Sequence, residues 1–436
     1  MFWESGANTK ISDGSCISNK PSYWNEKSTE PLKTVTIGQL LDDAALQYGD
    51  KEALVSCHQN QRLSFKQIQA QANDFAAGLL AGVHNGEPTI DRSLVPTQEK
   101  INHYNTHVII NSEQNLKGTF RLSDIMQGAG PEYHRRREQI SKSLNCRDGI
   151  NIQFTSGTTG HPKAAFLTHY NLINNSNFIG KRLEFDKTDH KILLQVPMFH
   201  TFGTAMGILN AMNHGSTTVV PAPSFKPMDS LRAIAKEKCT VLYGTPTMYV
   251  DLISSIQPLT EEMPNIAEEL SSPVIALTAG APCSPTLFNK IRDTFGIKHL
   301  ILYFQVKVVD KKGNIVPMGM CGEVCYRGYN VMLGYYGEEN KILENDEWFP
   351  SGDFFILHEN GYGQVVGRIK DIIIRGGENI IPKEIEYVLQ THPDVVEAQV
   401  YGVPDERLGE VVVANIELKP GASLTQDDIK TYCKGK

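Results

Sequence analysis

Thr155-Ser-Gly-Thr-Thr-Gly-His-Pro-Lys163 combines hydroxyls, glycines and one lysine in a single short run. Such a loop can offer backbone N–H groups, side-chain hydroxyls and an ammonium group to a polyphosphate. Residues 152–154 before it alternate like a strand, and residues 166–175 after it could begin a helix. Because a strand, a glycine-rich turn and a helix form the usual context of a phosphate loop, the sequence predicts nucleotide binding here rather than a flexible surface turn.

Composition and charge exclude several classes of protein. The chain has 436 residues, of which 40% are hydrophobic and 21% charged, as in a globular enzyme that divides into two or more domains. A net charge of −7 argues against nucleic-acid binding. No apolar stretch approaches the roughly 18 residues of a membrane span. A Rossmann oxidoreductase is disfavoured because no Gly-x-Gly-x-x-Gly occurs.

The chain changes its pattern twice. Residues 36–80 and the region after residue 151 alternate helices with short apolar strands, which predicts a mainly parallel α/β sheet. Thr245 and Pro246 follow one such strand and predict a helix start. After Val306, short β segments with glycine turns indicate a small barrel or antiparallel sheet. From Asp371 onward the order is strand, helix, strand, strand.

Three runs together resemble one family. The loop is similar to the ATP-binding signature of the adenylate-forming (AMP-binding) enzymes. Residues 243–251, Tyr-Gly-Thr-Pro-Thr-Met-Tyr-Val-Asp, and residues 373–380, Ile-Ile-Arg-Gly-Gly-Glu-Asn-Ile, resemble its medium-chain acyl-CoA synthetase branch. The resemblance covers most of the chain. It implies the α/β adenylate-forming fold, with a large N-terminal domain of α/β subdomains plus a small β-barrel, and a small, truncated α+β C-terminal domain.

The expected domain boundaries follow from this resemblance. Residues 1–35 are expected to be disordered or targeting-like, residues 36–370 to form the AMP-binding domain, and residues 371–436 to form the mobile C-terminal domain. The branch is mitochondrial, which favours a mitochondrial location. The N-terminal segment lacks the arginines of a presequence, so a cytoplasmic location stays open.

The implied activity is that of a fatty acid–CoA ligase. Such an enzyme adenylates a medium-chain fatty acid with ATP, transfers the acyl group to CoA, and releases AMP and pyrophosphate. ATP, CoA and Mg²⁺ are the expected cofactors and co-substrates, and the oligomeric state is open. The residues expected to bind ATP at the phosphate end are Thr155, Ser156, Gly157, Thr158, Thr159, Gly160, His161, Pro162 and Lys163. Thr155 and Lys163, with His200, are the expected catalytic residues.

The nucleoside is expected to contact two further places. Asp353 can accept hydrogen bonds from both ribose hydroxyls, and Arg368, fifteen residues on, resembles a second ribose contact. An aspartate in a turn is common, but the joint spacing favours function. Gly280-Ala281-Pro282 resembles the turn that faces adenine, with a simple helix-start turn as its alternative.

Three other positions have two interpretations each. His200 matches a residue that lines the acyl-adenylate pocket, yet a lone histidine among apolar residues is often part of the core. Lys370 resembles the hinge residue of the family and is also an ordinary surface lysine. Gly376 and Gly377 resemble the turn at the pantetheine tunnel, where glycine allows close backbone approach and a positive φ. The alternative is a plain strand-to-helix turn.

Some family motifs are missing. Gln305 directly follows Phe304, where the family has a Tyr-Gly-x-Thr-Glu motif that stacks adenine and holds magnesium. The usual N-terminal block is not visible in residues 82–115, and no Ser-Gly-Lys motif occurs near the C-terminus. The alternative function is therefore a catalytically impaired nucleotide- or acyl-binding form, or an incomplete gene model.

Overall fold

The structure is a computed structural model. It describes residues 20–24, 30–85, 109–110, 120–127, 129–155, 162–279, 285–297, 305–337, 348–361 and 363–434. Several predicted site residues lie outside the described residues, namely Ser156, Gly157, Thr158, Thr159, Gly160, His161, Gly280, Ala281 and Pro282. Most of the predicted gap at 82–115 lies outside them as well.

The described elements run along the chain as follows. The first half contains β1 (Tyr23–Trp24), α1 (Ile37–Tyr48), β2 (Glu52–Ser56), β3 (Gln61–Ser64), α2 (Phe65–Asn85), β4 (Ile109–Ile110), β5 (Phe120–Arg121), α3 (Leu122–Gln127), α4 (Pro131–Ser143), β6 (Gly149–Thr155), β7 (Lys163–Thr168), α5 (His169–Arg182), β8 (Lys191–Leu194), a π-helix (Phe202–Leu209), α6 (Asn210–His214) and β9 (Thr217–Val220).

The second half contains α7 (Pro227–Glu237), β10 (Val241–Gly244), α8 (Pro246–Glu262), α9 (Ile266–Glu269), β11 (Ile275–Thr278), α10 (Pro285–Phe295), β12 (Gln305–Val309), β13 (Cys321–Arg327), β14 (Gly334–Tyr335), β15 (Phe349–Leu357), β16 (Gly363–Arg368), a 3-10 turn (Ile369–Asp371), β17 (Ile373–Arg375), β18 (Glu378–Ile380), α11 (Pro382–Gln390), β19 (Val395–Asp405), β20 (Gly409–Leu418) and α12 (Gln426–Cys433).

The predicted parallel sheet is present. Its strand order is β11-β10-β8-β9-β2-β3, and every neighbouring pair is parallel except β2 with β3. Leu193, Val219 and Leu242 are fully buried in one apolar cluster, while Tyr243 and Ile192 belong to a second. A sheet buried on both faces has the continuous apolar strands seen in the sequence.

The predicted helix start after β10 is confirmed. The Thr245 hydroxyl accepts a hydrogen bond from the Met248 N–H at 3.3 Å, and Pro246 is the first residue of α8. The cap satisfies one of the N–H groups that an isolated helix end leaves without a partner. It also fixes where the chain leaves the carboxyl end of the sheet.

The helix predicted over 201–213 differs from the structure. Residues 202–209 form a π-helix, and only Asn210–His214 is α-helical. Two glycines account for the close packing here. A Cβ at Gly203 would lie 2.2 Å from the Pro197 carbonyl oxygen, and one at Gly207 would lie 2.5 Å from Leu194 Cδ1. The wide π turn therefore packs directly against the loop and strand before it, as π segments near functional sites often do.

The predicted strand–loop–helix around the phosphate loop needs correction. The loop joins two antiparallel strands, β6 and β7, and the helix α5 begins only at His169. The sheet has the order β14-β7-β6. Lys163–Thr168 is a strand because it pairs along its length with β6, and Ala165 and Phe166 also pair with β14 on its other side.

The antiparallel part predicted after Val306 is present as a five-stranded sheet of order β1-β12-β13-β15-β16. Its edge strand is β1, in which Tyr23 and Trp24 pair with Lys307 and Val306. These two residues are therefore ordered, unlike the disordered or targeting-like segment expected for residues 1–35. The final unit forms a separate sheet of order β18-β17-β20-β19 with α11 and α12 beside it. None of the helices in the described part of the chain is long and apolar enough to cross a membrane.

A charged network stabilises the edge of the parallel sheet. Arg62 on β3 forms ion pairs with Glu52 on β2 and with Glu237 at the end of α7, and the pKa of Arg62 is raised by its hydrogen bonds to both carboxylates. Glu237 is buried, and Lys191 lies 3.7 Å from it. The network thus compensates for a buried carboxylate.

We expect Arg62→Met to lower the free energy of unfolding by about 1–3 kcal/mol, because it leaves Glu237 buried with a weaker partner. Urea unfolding of the purified chain measures this change. Lys187→Met is the matched control, since its ion pair with Glu184 is exposed to solvent, and its unfolding midpoint should stay unchanged. Equal midpoints for the two variants would contradict the role of the network.

A buried histidine makes the fold sensitive to mild acid. Burial lowers the pKa of His214 from an ordinary value of 6.5 to about 4, and its ring lies 3.1 Å from the Asn177 carbonyl oxygen. The unfolded chain therefore takes up a proton before the folded chain does. Stability should be complete above pH 6.5 and fall as the pH drops toward 4.

In His214→Gln, the loss of unfolding free energy between pH 7 and pH 5 should be smaller than in the unmodified chain, because the titrating group is gone. Urea unfolding at the two pH values measures the difference. His58→Gln is a control, since His58 lies on an exposed turn. A loss in His214→Gln as large as in the unmodified chain would exclude His214 as the source.

Candidate functional site

Asp353 and Arg368 meet on adjacent strands. The register of β15 and β16 places Asp353 directly opposite Arg368, and the Arg368 Nε lies 3.5 Å from the Asp353 Oδ1. The spacing of fifteen residues is thus the length of a β-hairpin that returns the arginine to the aspartate. The pair presents a carboxylate acceptor and a guanidinium donor side by side, which suits a diol such as ribose.

Asp353 lies in an environment that opposes its charge. Burial raises the pKa of this carboxyl, Arg368 opposes the rise, and Asp371 and Glu323 add to it. Its side chain is 30% exposed. A partly desolvated acceptor forms stronger hydrogen bonds with a ligand than a fully hydrated one.

The turn before Asp353 is held by side chains. Gly352 has a φ of +76°, a conformation that favours glycine. Its N–H donates to the Glu323 Oε1 at 2.9 Å, and the Asp353 N–H donates to the Ser351 Oγ at 3.0 Å. These bonds fix the direction of the Asp353 side chain.

The ends of the phosphate loop are also held together. Thr155 and Lys163 face each other across the β6–β7 pair, and the Thr155 hydroxyl lies 3.4 Å from the Lys163 carbonyl oxygen. The Lys163 ammonium lies 4.8 Å from the centre of the Tyr335 ring. Such a cation–π contact keeps the ammonium beside the loop while leaving it a cation for an anionic ligand. Pro162 precedes it in an exposed position.

One connection joins this hairpin to the five-stranded sheet. The chain leaves β13, and Asn171 on α5 donates from its Nδ2 to the carbonyl oxygens of Tyr329 and Val331 at 2.8 and 2.9 Å. The Leu333 N–H then bonds the Phe166 carbonyl oxygen at 2.9 Å. The strands that carry Asp353 and Lys163 are therefore tied through a short hydrogen-bonded segment.

His200 is exposed, so it is not a core histidine. It follows β8 and precedes the π-helix, on the side of the parallel sheet where the strands end. Its Nδ1 accepts the Phe202 N–H at 3.0 Å, which fixes the ring and leaves the proton of the neutral form on Nε2. Ligands of α/β proteins bind at this edge of a sheet.

The remaining predicted residues lie beyond β16. Lys370 is in the 3-10 turn that leads from the five-stranded sheet to the last sheet, and its Nζ lies 3.9 Å from Asp371. Gly376 and Gly377 have φ values of +60° and +89°. They form a two-residue turn between β17 and β18, so the predicted positive φ is confirmed and the strand-to-helix alternative is wrong.

Sequence reasoning missed three contributors. Glu323 supports the Gly352 turn, and Tyr335 contacts Lys163. Tyr326 lies near Asp353, and burial raises its pKa to about 12, with a further rise caused by that carboxylate. Glu323 and Tyr326 lie three residues apart in β13. A regular strand would place them on opposite faces, so the sequence gave only a weak indication that both lie near Asp353.

The described residues offer no ready-made metal site. No three of their His, Cys, Asp or Glu side chains cluster in a way that could hold an ion. The donor set found in this part of the chain therefore does not fit a protein-held Mg²⁺.

Family models match two regions of the chain. Residues 92–304 match the model described as AMP-binding enzyme, and residues 384–436 match the AMP-binding enzyme C-terminal domain. The chain is 34% identical to the medium-chain acyl-CoA ligase ACSF2, mitochondrial, of Danio rerio, over 95% of this chain and 85% of that protein. It is 33% identical to the putative acyl-CoA synthetase YngI of Bacillus subtilis, over 88% and 77% of the two chains.

The alignment with the zebrafish protein shows a shortened interior. It spans 523 positions, whereas 95% of 436 residues is about 414, so about 109 aligned positions have no counterpart in this chain. The alignment does not locate these positions.

Solved structures share the fold. ATP-bound MatB from Rhodopseudomonas palustris has a TM-score of 0.69 at 22% identity, covering 92% of each chain. The anthranilate CoA ligase AuaEII in complex with anthranoyl-AMP has a TM-score of 0.71 at 20% identity, covering 96% of this chain and 91% of that one. With the ACSF2 relatives above 30% identity, these matches establish that the chain belongs to the AMP-binding family of adenylate-forming enzymes, as an acyl-CoA synthetase.

Proposed function

We propose that this chain binds ATP across two elements, the β6–β7 loop and the β15–β16 hairpin, and adenylates a medium-chain fatty acid. The carboxylate oxygen of the acid attacks the α-phosphorus of ATP, and pyrophosphate leaves. The CoA thiolate then attacks the acyl carbonyl carbon, and AMP leaves. The observation that carries the proposal is the Asp353–Arg368 pair, a half-buried carboxylate beside a guanidinium on paired strands.

The phosphate end of ATP is assigned to the hairpin. Thr155 and Lys163 hold the two ends of the loop together, and the Lys163 ammonium faces the loop region from the ring of Tyr335. An ammonium placed there can offset the charge that develops on the leaving pyrophosphate. We assign Ser156 to His161 to the same role from the sequence alone, and Gly280 to Pro282 to the adenine.

The acid is assigned to the carboxyl edge of the parallel sheet. His200 is exposed there, and Met198 and Phe199 beside it are exposed apolar residues. Gly203 and Gly207 let the adjoining π-helix pack directly against Pro197 and Leu194. An aliphatic chain gains about 0.8 kcal/mol for each CH₂ that such a surface buries. A medium chain fits this proposal because the named relatives include medium-chain acyl-CoA ligases.

The second half-reaction is assigned to the C-terminal unit. We place the domain boundary at Lys370 and Asp371, where the chain passes between two separate sheets. Lys370 is the proposed hinge. The Gly376–Gly377 turn, which has no Cβ atoms, is proposed to face the pantetheine arm of CoA. Mg²⁺ would arrive bound to the phosphates of the nucleotide.

Location and completeness are the other parts of the proposal. The ACSF2 relatives are mitochondrial by name, which favours a mitochondrial location over a cytoplasmic one. The second candidate function is a form that binds ATP or acyl groups without completing turnover. It is favoured by the roughly 109 alignment positions that lack a counterpart here.

We expect octanoate-dependent ATP–pyrophosphate exchange by the purified chain with Mg²⁺, and a loss of about 10²–10³-fold in Lys163→Ala, since the ammonium acts on charge that develops in the reaction. Lys312→Ala is the matched control, a lysine on an exposed turn of the five-stranded sheet. The control should exchange like the unmodified chain.

The exchange assay also separates the two candidate functions. Exchange above the Lys163→Ala level supports adenylation. ATP binding without any exchange would establish the non-catalytic candidate instead. Comparing octanoate with acetate and palmitate tests the medium-chain assignment, and equal rates with all three acids would refute it.

Asp353→Asn should affect affinity and stability in opposite directions. It weakens two hydrogen bonds to the ribose, so the Kd for ATP should rise about 10–100-fold. It also removes a carboxylate whose pKa is raised by folding. The ionised form therefore opposes folding above the ordinary pKa of 3.8, and the variant without ATP should be more stable at pH 7 than the unmodified chain.

That gain in stability should shrink as the pH falls below about 4, where the carboxyl of the unfolded chain is also protonated. ATP titration and urea unfolding at pH 7 and pH 3.5 measure both effects. Asp186→Asn is a control, because Asp186 lies on an exposed turn after α5, away from the five-stranded sheet. An Asp353→Asn variant with unchanged ATP affinity would remove the ribose assignment.

A further inference from the structure

The segment Lys20–Trp24 is built into the sheet that carries Asp353. The Ser22 N–H donates to the Val316 carbonyl oxygen at 2.7 Å, and the Ser22 carbonyl oxygen accepts the Val308 N–H at 2.9 Å. The Lys20 carbonyl oxygen accepts the Met318 N–H at 2.8 Å. A segment with three such backbone bonds is a paired edge strand rather than a loose tail.

Burial agrees with the hydrogen bonds. Ser22 is fully buried, next to Val308, Val316 and Met318 of the sheet's apolar cluster. The Ser22 hydroxyl is buried and has no hydrogen-bond partner among the described residues. The side chain therefore adds little, and the backbone bonds hold the segment in place.

Tyr23 carries the contact toward the candidate site. Its ring meets the Trp348 ring edge-on, with centroids 6.0 Å apart. Trp348 in turn lies between two cations, the Lys307 ammonium and the Arg327 guanidinium, each 4.7 Å from the ring. Trp348 directly precedes β15, the strand of Asp353.

We infer that Lys20–Trp24 is a clasp that holds Trp348 and thereby the start of the Asp353 strand. Tyr23 is a positioning residue, because it acts on Asp353 through Trp348. The inference rests on the proposed nucleotide site. It also sets a limit on maturation, because a peptidase that trims the N-terminus must cut before Lys20 to leave an active enzyme.

The first test removes the contact between the Tyr23 and Trp348 rings. Tyr23→Ala should raise the Kd for ATP about two- to ten-fold, which is the worth of one aromatic pair, whereas Tyr23→Phe keeps the ring and should bind like the unmodified chain. The chain has three tryptophans, so replacing Trp3 and Trp24 with phenylalanine isolates the emission of Trp348. That emission should shift in Tyr23→Ala and not in Tyr23→Phe.

The second test removes the backbone hydrogen bond from Ser22 to Val316. Ser22→Pro removes the N–H that bonds Val316, whereas Ser22→Ala removes only the unpartnered hydroxyl. Amide hydrogen exchange in β12 and β15 should be about five-fold faster or more in Ser22→Pro and unchanged in Ser22→Ala. Chains that begin at residue 20 and at residue 25 extend the comparison, and only the second should lose ATP affinity.

The outcomes separate the clasp from the proposed function. If the unmodified chain does not bind ATP, the nucleotide site fails, and the Trp348 emission and hydrogen exchange still test the clasp. The clasp is overturned if Ser22→Pro exchanges like Ser22→Ala, or if Tyr23→Ala matches Tyr23→Phe in emission and affinity. A fully active chain that begins at residue 25 would overturn it as well.

Discussion

The side-chain amide of Asn171 is the interaction on which the arrangement of the three units depends. Its Oδ1 accepts the Thr168 N–H at 2.9 Å, which completes a capping box where β7 becomes α5. Its Nδ2 donates to two carbonyl oxygens of the segment between β13 and β14. A single buried amide thus fixes a helix of the parallel-sheet unit, the phosphate-loop hairpin and the strand that leaves the five-stranded sheet. An apolar residue there would remove both of these partly buried hydrogen bonds.

The sequence predicted the elements whose signals are local. Thr245 and Pro246 predicted a helix start correctly, because the capping hydrogen bond joins Thr245 to Met248, only three residues later. Asp353 and Arg368 were both singled out as ribose contacts by resemblance, and their pairing across a short hairpin became visible only in the structure. The strand β7 was missed because residues 166–175 were interpreted as the start of a helix, whereas residues 163–168 pair with β6 across the loop and at two positions with β14, about 170 residues later. The π-helix was missed because the sequence does not show that Pro197 and Leu194 pack directly against Gly203 and Gly207.

The two charged groups of the candidate site, the Asp353 carboxylate and the Lys163 ammonium, lie in different electrostatic environments. Asp353 is partly removed from water, where its charge costs folding free energy and becomes available to a ligand. The Lys163 ammonium lies against the face of the Tyr335 ring. Both arrangements hold a charged group ready before the ligand arrives. An anion with a diol at one end and phosphates at the other satisfies both groups at once, whereas either group alone would accept many ligands.

Two exposed phenylalanines, Phe199 and Phe154, need different kinds of partner to become buried. Phe199 is 84% exposed and Phe154 is 66% exposed, and each would gain about 1.5–3 kcal/mol from burial. Phe199 lies beside the exposed Met198 on a loop at the carboxyl edge of the parallel sheet, where one aliphatic chain can cover it. Phe154 shares a face of β6 with the exposed Ile150 and Ile152, and a continuous strand face needs a packed helix or sheet. Covering Phe199 therefore needs no more than a substrate chain, whereas covering this face of β6 needs a packed element of secondary structure.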